Sequence, residues 1–311
     1  MRRIPYFILA LLVILLFIDI PGSSSNRAVK NLLDSGHLVL FSLFWILLLK
    51  KNYWPRNLSL FRQIVIIFLI TIGLSIIIEG IQFFTNRSAE LSDIGRNLIG
   101  TALAVIYSGM IKDQRLFYKF FLKISILVII FLSLIPLIRS TVDEINARVN
   151  FPVLATFESS FEMDRWVGTS LFKRSNIVAR DGEYSLQIQF IDTTYSGMEL
   201  VYFPGNWSNY KYLNFSIYYG QTDTFIIYVR IHDINHMNYN QDYSDRYNTS
   251  FVLHHGWNDL QICLKDVAKA PKTRLMDLTK IDGLIIFAYR PQKYQYIYLD
   301  HLYLSTKRVS P

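Results

Sequence analysis

The chain has 311 residues, a mean hydropathy of +0.25 and a formal net charge of +8. Residues 1–139 hold 15 Lys and Arg against 6 Asp and Glu, whereas the rest of the chain holds 17 against 18. Basic residues between apolar segments are typical of membrane proteins. They argue against a nucleic-acid partner, because nucleic-acid-binding proteins carry their basic residues clustered on one face. The composition excludes a soluble cytosolic enzyme and a disordered chain. The single cysteine, Cys263, excludes an intramolecular disulfide and a multi-cysteine metal site.

Apolar segments in the first part of the chain predict an all-α transmembrane bundle of about five helices over residues 1–139, then a linker over 140–150. The segments cover residues 4–20, 37–49, 64–84, 97–111 and 121–138. The second and fourth are shorter than the roughly 17 to 20 residues that a span needs. We therefore expect the polar residues just before them to enter the membrane and to carry a site. The first segment follows Arg2 and Arg3, as in a signal peptide or a membrane anchor.

The basic residues predict the orientation of the chain in the membrane. Ten of them precede the first segment or lie between the second and third or the fourth and fifth, and four lie in the two other loops. The ten are Arg2, Arg3, Lys50, Lys51, Arg56, Arg62, Lys112, Arg115, Lys119 and Lys123. Because an excess of Lys and Arg marks the cytoplasmic side, we expect a cytoplasmic N-terminus and an extracytoplasmic C-terminal region.

Polar residues recur at the predicted outer ends of the second, third and fourth segments. They are His37, Glu79, Gln82, Arg87, Asp93 and Asn97. Charged groups at membrane depth cost a few kcal/mol or more, so they usually face protein or water. Structural roles are available: Asp93 can cap a helix, Glu79 can pair with Arg87, and the two amides can join helices. Because the set converges from three helices, we expect a site there.

These residues resemble a known family. They form the series Glu79-x-x-Gln82-x-x-x-x-Arg87-x-x-x-x-x-Asp93-x-x-x-Asn97-x-x-Gly100, which follows Asp34-Ser35-Gly36-His37. Together they resemble the VanZ-like family of bacterial membrane proteins over residues 30–123. The family is named for a low-level resistance factor against the glycopeptide teicoplanin. The resemblance implies a place in the bacterial cytoplasmic (inner) membrane, a role in the cell envelope, and membrane lipid or a lipid-linked glycan as partner.

The chemistry of this cluster stays open between catalysis and binding. In the catalytic interpretation, Glu79 or Asp93 is a general base, His37 is an acid, and Arg87 holds a phosphate or carboxylate of a lipid-linked head group. Two carboxylates and a histidine can also hold a divalent cation such as Mg²⁺ or Ca²⁺. In the rival interpretation, the cluster, with Gln82 and Asn97 as ligand contacts, binds an anionic head group without reaction.

From residue 151 the pattern changes to short alternating strands separated by turns, which predicts an all-β sandwich over residues 151–311. The clearest strands cover 185–190, 213–218, 225–231, 260–264, 281–289 and 296–304. Aromatic and β-branched residues dominate them, as suits pleated and half-buried surfaces. The chain is therefore multi-domain, with a helical bundle followed by a sandwich.

Several phrases in this region resemble carbohydrate-binding modules with a galactose-binding-like jelly-roll fold. They are Phe157-Glu158, Asp181-Gly182-Glu183-Tyr184-Ser185-Leu186, Asn206-Trp207-Ser208-Asn209-Tyr210-Lys211-Tyr212-Leu213, Gly256-Trp257-Asn258-Asp259-Leu260 and Tyr298-Leu299-Asp300-His301-Leu302. The resemblance implies a polysaccharide partner and a structural calcium ion held by Glu158, Asp300 and backbone oxygens of residues 180–183. Oxygen ligands suit Ca²⁺. The alternative is that Asp300 only accepts hydrogen bonds from nearby backbone groups.

Candidate sugar contacts lie on two strands. Tyr228, Arg230 and His232 alternate on one face of a strand, and Tyr289 and Arg290 end another. Further candidates follow the first strand in a polar loop, namely His236, Tyr239 and Tyr243. Aromatic faces stack on sugar rings, while Arg and His can bind hydroxyl groups. The alternative is that these aromatics fill the core, as we expect of Trp207 and Trp257.

The sequence thus predicts a bacterial membrane protein that binds or modifies an envelope component, a lipid-linked or exported glycan, with an exported glycan-binding sandwich. The non-catalytic alternative is an envelope-binding or assembly protein that alters the access of glycopeptide antibiotics. Whether the chain is an enzyme stays open at this point.

Overall fold

The computed structural model describes residues 13–14, 27–50, 57–84, 91–110, 116–292 and 295–308. The chain divides into two compact units, Met1–Thr141 and Val142–Pro311. The first predicted apolar segment lies outside the described residues, apart from residues 13 and 14.

Four helices make up the described part of residues 27–150. They are α1 (Arg27–Lys50), α2 (Leu60–Phe84), α3 (Leu91–Tyr107) and α4 (Leu116–Asn150). Among the described residues, three stretches are long and apolar enough to cross a membrane, namely Arg27–Lys50, Leu60–Gln82 and Phe120–Asn150. The helical, membrane-type character that the sequence predicts for this region is confirmed.

Two helices begin earlier than the apolar pattern indicates. Helix α1 starts ten residues before His37, and α3 starts six residues before Asn97. The polar first turns of α1 stay helical because their side chains bond within the unit: Asn31 Nδ2 donates to Ser140 Oγ at 2.9 Å, and Ser35 Oγ donates to Asn31 O at 2.8 Å. His37 therefore lies within α1 and not at its start. Helix α4 continues through residues 140–150, so the predicted linker is helical.

Close packing of α1 on α3 sets the geometry of the first unit. Gly100 lies against the backbone of α1, where a Cβ atom would overlap Leu38 O. Small residues permit this approach between membrane helices. A core of apolar side chains includes Phe41 and Trp45, and Trp45 Nε1 donates to Thr71 Oγ1 at 2.9 Å. This packing brings the first half of α1 beside the start of α3.

The second unit is an antiparallel jelly-roll sandwich of two sheets, as predicted. The six-stranded sheet has the order β3 (Leu171–Ser175), β4 (Ser185–Gln189), β11 (Tyr296–Ser305), β6 (Tyr212–Tyr219) and β9 (Gly256–Cys263), with β1 (Val153–Ala155) paired to β11. The five-stranded sheet has the order β2 (Trp166–Gly168), β5 (Tyr195–Leu200), β10 (Ile281–Tyr289), β7 (Phe225–Asp233) and β8 (Tyr247–Leu253). A short helix, α5 (Leu264–Lys269), follows β9.

The sandwich core follows from the two-residue period of its strands. On β7, Ile227, Val229 and Ile231 are buried, so Tyr228 and Arg230 point to the other face of the sheet. Trp207 is fully buried, as predicted. The core assignment of Trp257 is wrong: it is half-buried and packs edge-on against Tyr218, 5.6 Å between ring centroids. Its side chain alternates with the core residues of β9, which places it on the opposite face.

Candidate functional site

A groove of about 700 Å³ lies on the face of the five-stranded sheet that points away from the core. The strand register builds it row by row. In one row, Ile285 on β10 pairs with Glu199 on β5 and with Arg230 on β7. In the next row, Phe287 pairs with Gly197 and Tyr228. Side chains of one face therefore come from strands far apart in sequence.

Aromatic rings line much of this groove. The rings belong to Tyr195, Tyr228, Tyr243, Phe287 and Tyr289. Tyr228 stacks on Phe287 with 5.4 Å between centroids, and Tyr195 contacts Tyr289 at 5.4 Å. Tyr195, Tyr243 and Tyr289 are exposed, so part of each side chain is accessible to a ligand.

Two half-buried arginines provide positive charge in the groove. Arg230 lies on β7, and Arg246 comes just before β8, on the same side of the sheet. Among the described residues, the buried Nε atoms of both have no hydrogen-bond partner. Burial lowers the pKa of Arg230, and repulsion from Arg246 lowers it further. Glu199 is the nearby acid. Burial raises the pKa of its carboxyl, and the charge of Arg230 offsets only part of this rise.

A chain of hydrogen bonds orients Arg230. Arg274 donates to both oxygens of Asp245 at 2.7 Å, and Asp245 accepts from His236 Nδ1 at 3.2 Å. Because that bond places the proton of the neutral ring on Nδ1, Nε2 accepts from Arg230 Nη2, at 3.2 Å. Arg274 also binds Asp233 at 2.6 and 2.7 Å. The hydrogen bond from Arg230 to His236 therefore orients the Arg230 guanidinium in the absence of a ligand.

The predicted contact His232 is 7% exposed and does not line the groove. Its Nε2 lies 4.0 Å from Glu199 Oε1, and its ring lies 5.0 Å from the ring of His236. Gly283 makes room for the side chains of His232 and Glu199, since a Cβ atom there would overlap both of them. Burial lowers the pKa of His232 to about 4, with Arg230 as the second cause.

The other predicted contact, Arg290, follows β10 and is exposed. Its guanidinium lies 5.3 Å from the ring of Tyr289, at the edge of the groove. The sequence pattern indicated four lining residues of the groove, namely Tyr228, Arg230, Tyr243 and Tyr289. It did not indicate the lining residues of β5, or Ile285 and Phe287 on β10. The alternation of Tyr195, Gly197 and Glu199 on β5 was the available signal, but nothing local indicates which strands are neighbours.

In the first unit, three of the predicted residues come together. One ligand atom each of His37, Glu79 and Asp93 lies within 4.8 Å of the others. His37 Nε2 lies 3.4 Å from Asp93 Oδ2, and His37 Nδ1 lies 3.2 Å from Asn97 Oδ1. The predicted contact Gln82 is buried on α2 one turn after Glu79, while Arg87 lies outside the described residues.

The two predicted calcium ligands contact the same loop through hydrogen bonds. Glu158 Oε1 accepts from Glu183 N and Tyr184 N, both at 2.9 Å. Asp300 Oδ2 accepts from Arg180 N at 2.6 Å and Asp181 N at 3.1 Å. Backbone N–H groups thus already occupy part of the oxygen lone pairs that a cation would use. The calcium ion stays a prediction.

Several solved structures are similar to the sandwich. It is similar to a family 11 carbohydrate-binding module from Clostridium thermocellum in complex with a β-1,3-1,4-mixed-linked tetrasaccharide: 20% identity, 49% of this chain, 94% of that chain, TM-score 0.37. It is also similar to a CBM22-2 xylan-binding domain from Paenibacillus barcinonensis: 16% identity, 46% and 92% coverage, TM-score 0.31. An exo-β-agarase matches with 13% identity, 50% and 25% coverage, TM-score 0.41. No protein-family model and no curated protein matches the sequence.

Proposed function

We propose that the sandwich binds a glycan chain in the groove of its five-stranded sheet. The observation that carries this proposal is the arrangement of five aromatic rings and two arginines around one groove of about 700 Å³. Pockets of this size that join aromatic walls to a few fixed polar groups are the usual form of a ligand site. The exposed side chains of Tyr195, Tyr243 and Tyr289 offer apolar surface for the C–H faces of sugar rings.

The charge of the groove favours an acidic glycan. Arg230 and Arg246 both line the groove, and Glu199 is the one acid among the lining residues that the structure describes. Two like charges repel, so a carboxylate placed between them is stabilised by both. Arg binds carboxylates through paired, charge-assisted hydrogen bonds. The ligand class that fits is a polysaccharide containing uronic acids.

The helical unit anchors the sandwich in the bacterial cytoplasmic membrane in this proposal. The basic residues of the predicted loops support a cytoplasmic N-terminus and an extracytoplasmic sandwich. The convergence of His37, Glu79 and Asp93 supports a second site in the membrane unit, acting on or binding a lipid-linked glycan, as the VanZ-like resemblance implies. A non-catalytic envelope-assembly role is the alternative, and it predicts glycan binding without turnover.

The direct experiment is a glycan array probed with the full-length protein in detergent micelles. We expect binding to polymers that contain uronic acid, and its loss in Tyr228→Ala. We expect the loss of one aromatic contact to cost about 1 kcal/mol, roughly 5-fold in Kd. The matched control is Tyr296→Ala, on the six-stranded sheet, which is 39% exposed and should bind as wild type does. Equal binding by both variants, or no binding by the folded wild type, contradicts the proposal.

A further inference from the structure

We propose that His37, Glu79 and Asp93 form a binding site for one divalent transition-metal ion in the membrane unit. The three side chains come from α1, α2 and α3, and their candidate ligand atoms all lie within 4.8 Å of one another. An ion bound at about 2.0–2.2 Å holds its ligand atoms about 3–4 Å apart. The observed spacing is thus close to that of a site built around one ion.

Hydrogen bonds fix which nitrogen of His37 faces the carboxylates. Ser75 Oγ donates to Thr71 O at 2.8 Å, so it accepts from Asn97 Nδ2 at 2.9 Å. That bond turns Asn97 Oδ1 toward His37 Nδ1, at 3.2 Å. Since an amide oxygen only accepts, Nδ1 carries the proton of the neutral ring. The lone pair of Nε2 is then on the side of Asp93 Oδ2, 3.4 Å away, as in metal-bound histidines whose other nitrogen donates to an oxygen.

Asp93 is oriented in a similar way. One of its oxygens, Oδ1, accepts from Arg96 Nη1, while Oδ2 lies 3.4 Å from His37 Nε2. In the neutral-histidine state both atoms of that 3.4 Å contact are acceptors. A cation held between them replaces this repulsion by two favourable bonds. Ligand carboxylates and histidines are typically held by such outer hydrogen bonds.

The donor set indicates the class of ion. One imidazole nitrogen and two carboxylate oxygens suit zinc or manganese, whereas calcium prefers six to eight oxygen ligands. Three protein ligands also leave a coordination position open, which is the arrangement of catalytic rather than structural zinc sites. The site would thus supply a Lewis acid on the side of the helical unit that carries these residues, independently of glycan binding by the sandwich.

The test measures the metal content of the full-length protein purified in detergent, stripped with a chelator and reloaded with Zn²⁺ or Mn²⁺. We expect about one ion per chain by mass spectrometry, and a higher midpoint of thermal unfolding of the loaded protein. His37→Gln, Glu79→Gln and Asp93→Asn should each lose at least about 10-fold in affinity. The matched control is Asp34→Asn: Asp34 lies 3.7 Å from Arg96 Nη1 in the same cluster but outside the ligand set.

X-ray absorption of the loaded wild type adds a result that does not depend on whether the variants fold. It should report a first shell of nitrogen and oxygen that contains one imidazole. Three results would each overturn the proposal: no ion retained by the folded wild type, an equal loss of affinity in Asp34→Asn and Asp93→Asn, or an absorption spectrum without imidazole. Glycan binding by the sandwich is measured separately and does not change with any of them.

Discussion

Protonation of His232 should make the stability of the sandwich depend on pH. Its side chain is 9% exposed, and burial together with Arg230 lowers its pKa to about 4. In the unfolded chain a histidine has a pKa of about 6.5. Because the unfolded state takes up the proton first, stability is complete above about pH 6.5 and falls as the pH drops toward 4. The loss ends below the folded pKa, where both states are protonated.

The size of this effect follows from the two pKa values. Between pH 8 and pH 5 the contribution of His232 to the free energy of unfolding falls by about 2 kcal/mol. Its total loss, reached below the folded pKa, is about 3 kcal/mol. Glu199 acts in the opposite direction, because burial raises the pKa of its carboxyl and the folded state then binds its proton more readily. The contribution of His232 is therefore measured against a variant that lacks only this histidine.

The assay is urea unfolding of the full-length protein in detergent at pH 8 and pH 5, followed by tryptophan fluorescence. Between pH 8 and pH 5, the free energy of unfolding of wild type should fall by about 2 kcal/mol more than that of His232→Gln. The glutamine keeps a polar group next to Glu199 but cannot titrate. The same pH dependence in both proteins would refute the assignment of a buried, neutral histidine at this position.

Three further predictions concern stability. Arg165→Ala should lower the free energy of unfolding by about 3–5 kcal/mol, because it removes a buried guanidinium 3.1 Å from the buried Asp143; chemical unfolding with Arg165→Lys as partial rescue checks this. Gly197→Ala should cost about 1–3 kcal/mol, because its new methyl group would overlap Phe287; a wild-type unfolding midpoint would contradict it. Calcium should raise the midpoint of thermal unfolding of wild type but not of Asp300→Asn. An unchanged midpoint in wild type would contradict the predicted calcium site.

The sequence predicts the sandwich well because each strand carries its own alternation. Tyr228 and Arg230 were expected on one face of a strand, and they line the groove. The other half of the groove was not predictable in this way. Tyr195 and Tyr289 are 94 positions apart, and they meet only because β5 pairs with β10 in a definite register. Pairing between distant strands is set by the whole topology, which a local pattern does not contain.

The helical unit illustrates a different limit. Apolar runs located the described helices, but the starts of α1 and α3 were missed because polar residues such as Asn31 are helical here. Their side chains bond to other helices, and tertiary partners override the local preference of polar residues for a helix end. The meeting of His37 with Glu79 and Asp93 was expected, because polar residues recur at corresponding ends of three predicted helices. The hydrogen bonds that orient His37 were not, since they depend on side-chain geometry.

The claim that the groove binds an acidic glycan is tested most directly by titrating the full-length protein with one uronic-acid polymer and with the same polymer after reduction of its carboxyl groups. We expect wild type to bind the acidic polymer at least about 10-fold more tightly, and Arg230→Gln to remove most of this difference. Arg180→Gln, which changes an exposed arginine paired with Asp259 at 2.7 Å, should keep the preference. Equal affinity of wild type for both polymers would contradict the account.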